Sequence, residues 1–134
     1  DQKDDTNAAE TPEEPAADPI QNVKEAASQA QAKARASRLD NGKIQIAYQP
    51  TEETKAFIEE AKEQGFTVKY RLYRSKNKNS GYRAVATKKT DSFTRKADRQ
   101  EAGRYYKIQV RVYDENGRLI SKTPLKQCRY AVGK

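Results

Sequence analysis

The sequence predicts a mainly β fold: an antiparallel β-sandwich with one short inserted helix, preceded by an N-terminal disordered or helical extension. Three observations support this fold class. Several segments alternate apolar and polar residues, which is the period of a half-buried strand. Turn signals such as Asn116-Gly117 recur between these segments. Residues 51–64 carry the clearest pair of helix start and stop signals, with Thr51 at the start and Gly65 after the end.

The first 40 residues do not resemble the rest of the chain. Residues 1–18 contain seven acidic residues, one Lys and no Val, Leu, Ile, Phe or Tyr, so they lack the apolar area that folding needs. We predict an acidic disordered tether there. Asp18-Pro19 is a helix start signal, and the residues after it are rich in Ala. Residues 19–40 are therefore predicted to be an Ala-rich helix or linker, and residues 41–134 to be the folded domain.

The strands of that domain follow in order, separated by turn residues. We predict strands at residues 43–48, 66–75, 82–87, 92–94 and 104–113, with a return after Gly117 and a closing strand over residues 125–132. In the closing strand Cys128, Tyr130 and Val132 are expected to face inward.

A long strand, residues 104–113, belongs to the predicted hairpin of residues 104–120. Tyr106, Ile108, Val110 and Val112 alternate with polar or larger residues, so these four are predicted to face the core. The residues between them face the other way.

These segments resemble the strands of a fibronectin type III domain. Residues 43–50, with Tyr48 where that family usually has Trp, resemble its second strand, and residues 68–75 (VKYRLYRS) resemble its third. Ser92-Phe93-Thr94 resembles the short strand that follows, and residues 103–117 resemble the sixth strand and its turn. The resemblance implies a corner hydrogen bond from Tyr106 and a role as a binding or spacer module without a shared catalytic site. Two departures are a helical pattern where the first strand belongs and a helix in a loop that is usually short.

The composition of the extension resembles the start of a mature bacterial lipoprotein that has lost its lipidated N-terminal Cys. This resemblance implies an extracytoplasmic location in the bacterial cell envelope, lipid-anchored, periplasmic or at the surface. A piece cut from a larger protein would have the same composition. Apart from such an anchor upstream of Asp1, no contact with the membrane is expected, because no apolar run is long enough to span it.

No set of residues in the sequence indicates catalysis, and the chain is predicted not to be an enzyme. It has no His, no nucleophile motif and no phosphate-binding Gly-rich loop, and it offers neither metal ligands at recognisable spacing nor a cofactor motif. Cys128 is the single Cys, and we interpret it as a small buried residue of the core.

Charge is distributed unevenly along the chain, and this indicates a partner. Residues 1–20 carry a net charge of −6 and residues 21–134 a net charge of +14. If the strands at residues 66–75 and 104–113 are neighbours, their outward residues form one basic face with interleaved tyrosines. The predicted partner-binding residues are Lys69, Arg71, Tyr73, Tyr105, Lys107, Arg111, Tyr113 and, if the last strand joins this sheet, Arg129.

We therefore expect a non-catalytic binding module on a tether, a monomer, whose partner is a protein or an anionic polymer. The alternative is a dedicated polyanion-binding protein, for nucleic acid or an anionic envelope polymer, that uses this basic aromatic face. A plain solvent-facing sheet surface would have the same composition.

Overall fold

Alternating apolar residues place one side of each long strand in a shared core between two sheets. The computed structural model describes residues 19–95 and 104–132. The tether predicted for residues 1–18 lies outside the described residues. The elements in chain order are α1 (Pro19–Ser28), β1 (Ala32–Arg38), β2 (Ile44–Pro50), α2 (Glu52–Glu63), β3 (Thr67–Ser75), β4 (Arg83–Lys88), β5 (Ser92–Arg95), β6 (Tyr105–Tyr113), β7 (Leu119–Lys122), a 3-10 turn (Leu125–Gln127), β8 (Cys128–Arg129) and β9 (Ala131–Val132).

The strands form two sheets that pack face to face. One has the order β5-β2-β1-β8, and the other has the order β4-β3-β6-β7 with β9 also paired to β6. All described pairs are antiparallel except β1 with β8. Ile46 of β2 and Leu72, Ile108 and Val110 of the second sheet are fully buried between the layers. The predicted fold class, a mainly β sandwich with an inserted helix, is confirmed.

Helix α2 fills the connection between β2 and β3, where the sequence predicts it. The Thr51 hydroxyl caps its first turn by accepting a hydrogen bond from the Thr54 N–H, and Glu52 and Glu53 occupy the positive end of the helix dipole. Gly65 follows the helix with a positive φ of 90°, a conformation that glycine adopts without steric cost. Phe57 and Ile58 lie on the buried face of the helix.

The helix or linker predicted for residues 19–40 is wrong beyond Ser28, because residues 32–38 form β1. This strand pairs with β2 along its whole length, from Ala32 opposite Pro50 to Arg38 opposite Ile44. Ala and Arg favour helices, but propensity differences per residue are small. The full ladder of hydrogen bonds to β2 outweighs them. β1 supplies the first strand that the fibronectin type III resemblance lacked at the sequence level.

The closing strand is also divided differently from the prediction. Its first half, β8, pairs with β1 in one sheet, and its second half, β9, pairs with β6 in the other. The chain changes sheets at Tyr130, which is therefore 40% exposed instead of facing inward, while Ala131 is buried. Cys128 lies in the core as predicted.

Candidate functional site

The register between β3 and β6 brings seven of the eight predicted partner-binding residues onto one outward face. Lys69 lies opposite Arg111, Tyr73 lies opposite Lys107, and Arg71 lies opposite Gln109. We call this surface the basic tyrosine face, and its members are Lys69, Arg71, Tyr73, Tyr105, Lys107, Arg111 and Tyr113. All seven are partly exposed, whereas the residues between them along the two strands are mostly buried.

The eighth residue, Arg129, is not part of this face. It lies on β8, next to Lys33 of β1, and so belongs to the edge of the opposite sheet. Gln127, just before it, donates hydrogen bonds to the carbonyl oxygens of Ser28 and Ala30. The last strand joins the second sheet only at Ala131 and Val132, so Arg129 does not extend the basic tyrosine face.

At one end of the face, two cations pack around a single tyrosine. Lys69 Nζ lies 5.1 Å from the centre of the Tyr113 ring, and the Arg111 guanidinium carbon lies 6.0 Å from it. Arg111 Nε also donates a hydrogen bond to the Tyr113 hydroxyl over 2.9 Å. Each cation–π contact at such a partly exposed site contributes about 0.5–1 kcal/mol. The ring therefore offsets part of the repulsion between two like charges that lie directly opposite each other.

The side-chain amide of Gln109 lies buried at the centre of the face, and its alternation with core residues did not predict this burial. Gln109 points outward but is only 5% exposed. Its Oε1 accepts hydrogen bonds from the Tyr73 hydroxyl at 3.1 Å and from Arg111 Nη1 at 2.9 Å, and its Nε2 donates to the Thr123 carbonyl oxygen at 3.2 Å. In the sequence, its position between the outward cations Lys107 and Arg111 was the one sign that it belongs to this face. This network limits the rotamers of Tyr73 and Arg111.

Arg71 is the cation with the most unused hydrogen-bonding capacity on the face. Its Nε donates to the Thr87 hydroxyl of β4 over 3.1 Å. Within residues 19–95 and 104–132 its other guanidinium donors have no partner. A side chain held at Nε presents its terminal nitrogens to solvent, where they can contact an anion.

The opposite end of the face combines one lysine with several tyrosines. Lys107 Nζ lies 5.1 Å from the Tyr82 ring centre and donates to the Leu125 carbonyl oxygen over 3.0 Å. Tyr105 and Tyr130 meet edge to face with ring centres 5.1 Å apart. Burial, and then the neighbouring Tyr130 hydroxyl, raise the pKa of Tyr82 to about 12. Tyr82 is therefore a neutral phenol at physiological pH.

The strands of the sheet that carries the face contain basic residues but no acidic ones. Strands β3, β4, β6 and β7 contain eight Lys or Arg residues and no Asp or Glu. Helix α2, in contrast, carries five Glu and two Lys residues. No carboxylate is interleaved with the cations along these four strands, so within the strands themselves the positive charges are not offset.

The described residues contain no metal-ligand cluster, and the single thiol among them is buried. Burial raises the pKa of the Cys128 thiol, so it is held in its protonated, weakly nucleophilic form. No cluster of three or more His, Cys, Asp or Glu side chains converges within residues 19–95 and 104–132. Neither of the two helices in this part of the chain is long and apolar enough to cross a membrane.

Comparisons with known proteins identify similar folds but no close relative. No family model matches the sequence, and a search of curated proteins finds no significant match. Among solved structures, an Fn3-like protein from Clostridium thermocellum is 16% identical, with 79% of this chain and 91% of that chain covered and a TM-score of 0.46. A human fibronectin type III domain is 12% identical, with 86% and 82% covered and a TM-score of 0.47.

Pectate lyase Pel3 from Pectobacterium carotovorum is also similar, at 14% identity with 75% of this chain covered and a TM-score of 0.43. The chain spans about a quarter (26%) of that enzyme's length. Independently of these matches, the first, second and fifth strands form one sheet here and the third, fourth, sixth and seventh form the other. The chain therefore has a fibronectin type III-like β-sandwich fold, as the order of its strands in the sequence predicted.

Proposed function

We propose that this protein is a non-catalytic interaction module that binds an anionic partner, either a polyanion or an acidic protein segment, through the basic tyrosine face. The observation that carries the proposal is the composition of one sheet. Eight cations and no carboxylates occur in β3, β4, β6 and β7, and tyrosines stand between the outward cations. Such a surface attracts anions over distances of about a Debye length, roughly 8 Å at physiological salt.

The arrangement of these side chains also favours binding. Lys69 and Arg111 are held against Tyr113, and Lys107 against Tyr82, so part of the entropic cost of ordering long side chains is already met before a ligand arrives. Tyrosine rings between cations can additionally stack on flat groups of a bound polymer. The terminal nitrogens of Arg71, which have no partner in the part of the chain that the structure describes, can contact an anion directly.

Retention on immobilised heparin, a model polyanion, tests the proposal. The wild-type chain should elute at a salt concentration well above that of a variant with Arg71→Ser and Arg111→Ser, because each substitution removes a cation from the face. The matched control is Lys55→Ser with Lys62→Ser on α2, which removes the same charge from an exposed helix away from the face. If the control variant lost as much retention as the face variant, binding would reflect net charge alone and the proposal would fail.

We further propose that the module is carried at the bacterial cell envelope, outside the cytoplasm, on a lipid anchor preceding the acidic segment. The support is compositional: residues 1–18 are rich in Asp, Glu, Ala and Pro and contain no large apolar residue. The gene sequence tests this directly. A Cys codon must come immediately before Asp1, preceded by an apolar signal region, and any other residue at that position contradicts the anchor.

A further inference from the structure

A cleft of about 670 Å³ opens beside the β3–β4 hairpin, and its lining is strongly basic. Arg74 and Lys76 come from the end of β3 and the turn after it, Arg83 begins β4, and Arg104 precedes β6. The lining contributed by residues 19–95 and 104–132 contains no acidic side chain. Four cations from three separate segments of the chain thus converge on one concave site.

The register of the sheet places two of these cations directly opposite each other. Arg74 and Arg83 are direct cross-strand partners on β3 and β4. Like charges directly opposite each other destabilise a strand pair. Arg104 is brought to the same place because the next residue, Tyr105, pairs with Ser75. Backbone pairing therefore brings these cations close together even though their like charges repel.

Three of the four cations are available for a ligand. The side chains of Lys76, Arg83 and Arg104 form no hydrogen bond or ion pair with any described residue. The turn that borders the cleft is itself ordered, because the Ser75 hydroxyl donates to the Ser80 carbonyl oxygen and accepts a hydrogen bond from the Asn77 N–H at 3.0 Å. This turn is thereby held in place, while the side chains of Lys76, Arg83 and Arg104 have no hydrogen bond or ion pair within residues 19–95 and 104–132.

We propose that this cleft is a binding site for a tetrahedral oxyanion, namely phosphate or the phosphoryl group of a phosphomonoester. Guanidinium groups bind such oxygens through paired, charge-assisted hydrogen bonds, and two or more arginines around one cavity suit a doubly charged anion. Lysine adds charge without the same geometry. The site uses none of the residues of the basic tyrosine face, so it stands whether or not that face binds a polyanion.

A titration of the full-length chain with inorganic phosphate, followed by amide chemical shifts in NMR, tests the site. Ionic strength is held constant with sodium chloride so that screening does not change. We expect saturable shifts concentrated at the amides of residues 75–85 and at Arg104. Arg83→Gln with Arg104→Gln should weaken phosphate binding at least tenfold. Lys55→Gln with Lys62→Gln, the charge-matched control on α2, should change it less than twofold.

A second titration with glycerol 3-phosphate distinguishes the source of the oxyanion. Binding at least as tight as that of inorganic phosphate indicates a phosphoryl group carried on a larger molecule, and weaker binding indicates the free ion. Both outcomes support an oxyanion site. The proposal is overturned if shifts do not saturate, if chloride alone produces them, or if the double variant binds phosphate like the wild type.

Two single variants, Arg83→Gln and Arg71→Ser, distinguish loss of the site from misfolding and from a general effect of charge. If the double variant does not fold, as judged by its amide spectrum, Arg83→Gln alone should still weaken phosphate binding at least threefold. Arg71→Ser, on the basic tyrosine face, should leave phosphate binding in the cleft within twofold of the wild type. A loss in the Arg71 variant equal to that in the Arg83 variant would show only a diffuse charge effect and would overturn the site.

Discussion

Gln109 and Thr123 are joined by a hydrogen bond of 3.2 Å from the Gln109 side-chain nitrogen to the Thr123 carbonyl oxygen, and both residues are buried. Thr123 also accepts a hydrogen bond from the Val110 N–H through its hydroxyl and donates its own N–H to the Val110 carbonyl. The segment after β7 is thus fastened to the middle of β6. The same amide accepts hydrogen bonds from Tyr73 and Arg111, so Gln109 contributes both to the stability of the sheet and to the shape of its outward face.

Replacing Gln109 by Ala should destabilise the protein by about 1–3 kcal/mol, because the buried Thr123 carbonyl loses its side-chain partner and Tyr73 and Arg111 lose theirs. Urea unfolding followed by circular dichroism measures this change. Lys122→Ala, an exposed substitution on the neighbouring strand, should change the free energy of unfolding by less than about 0.5 kcal/mol. Equal stability of the Gln109 variant and the wild type would show that the amide network is not structural.

Substitutions of Tyr113 separate the contribution of its aromatic ring to anion binding from that of the neighbouring charges. Tyr113→Leu removes the ring against which Lys69 and Arg111 pack but keeps both cations, so we expect elution from heparin at lower salt than the wild type. Tyr113→Phe keeps the ring and loses only the hydrogen bond from Arg111, so it should elute close to the wild type. Identical elution of the Leu variant and the wild type would rule out a contribution of the ring to binding.

Tyr70 should make the stability of the domain sensitive to alkaline pH. Burial raises its pKa from 10.0 to about 12, and the nearby carboxylates of Asp91 and Glu59 add to the shift. Since the folded state holds this proton more tightly than the unfolded state, its contribution is fully present below pH 10 and is lost as the pH rises towards 12. The free energy of unfolding should therefore fall over this range.

The variant Tyr70→Phe isolates this effect, because it keeps the ring that contacts Tyr48 and removes only the titrating hydroxyl. Its free energy of unfolding, measured by urea titration at a series of pH values, should decline less between pH 10 and 12 than that of the wild type. Below pH 9 the difference between the two proteins should be constant. Parallel curves across the whole range would contradict the assignment.

The acidic segment should compete with external anions for the basic surfaces. Residues 1–18 carry seven acidic residues and one Lys, against a net charge of +14 on residues 21–134. A chain lacking residues 1–18 should elute from heparin at higher salt than the full chain. A full-length variant with these acids replaced by Asn and Gln should behave like the truncated chain, because charge and not length is responsible. Unchanged retention of the truncated chain on heparin would show that the acidic segment does not compete with external anions.

Part of the candidate site follows from local patterns alone. The alternation in β3 and β6 identifies the outward residues, and the pairing of the two strands then brings seven of them together. The prediction for Arg129 was wrong because its position depends on which sheet the last strand joins. The segment that carries Arg129 pairs with β1 of the opposite sheet. Gln109 was not recognised, since only its partners Tyr73, Arg111 and Thr123 show that it is buried.

Features that neighbouring residues encode can be recognised from the sequence alone. Strand period, the Thr51 cap and Gly65 stop of α2, and the turn at Asn116-Gly117 each arise from contacts within a few residues, so they can be recognised without knowing the partner strands. The same holds for the charge imbalance along the chain, because it needs only counting.

Features that depend on distant partners follow from the packing of the whole domain. Residues 32–38 alternate Ala with polar or charged residues and suit either a helix or a strand, and the ladder with β2 selects the strand. The division of the closing strand between two sheets, and the meeting of Arg74, Arg83 and Arg104 in one cleft, likewise follow from pairing between segments far apart in the chain. Propensity differences between helix and strand are a fraction of a kcal/mol per residue, so the packing of the sandwich outweighs them.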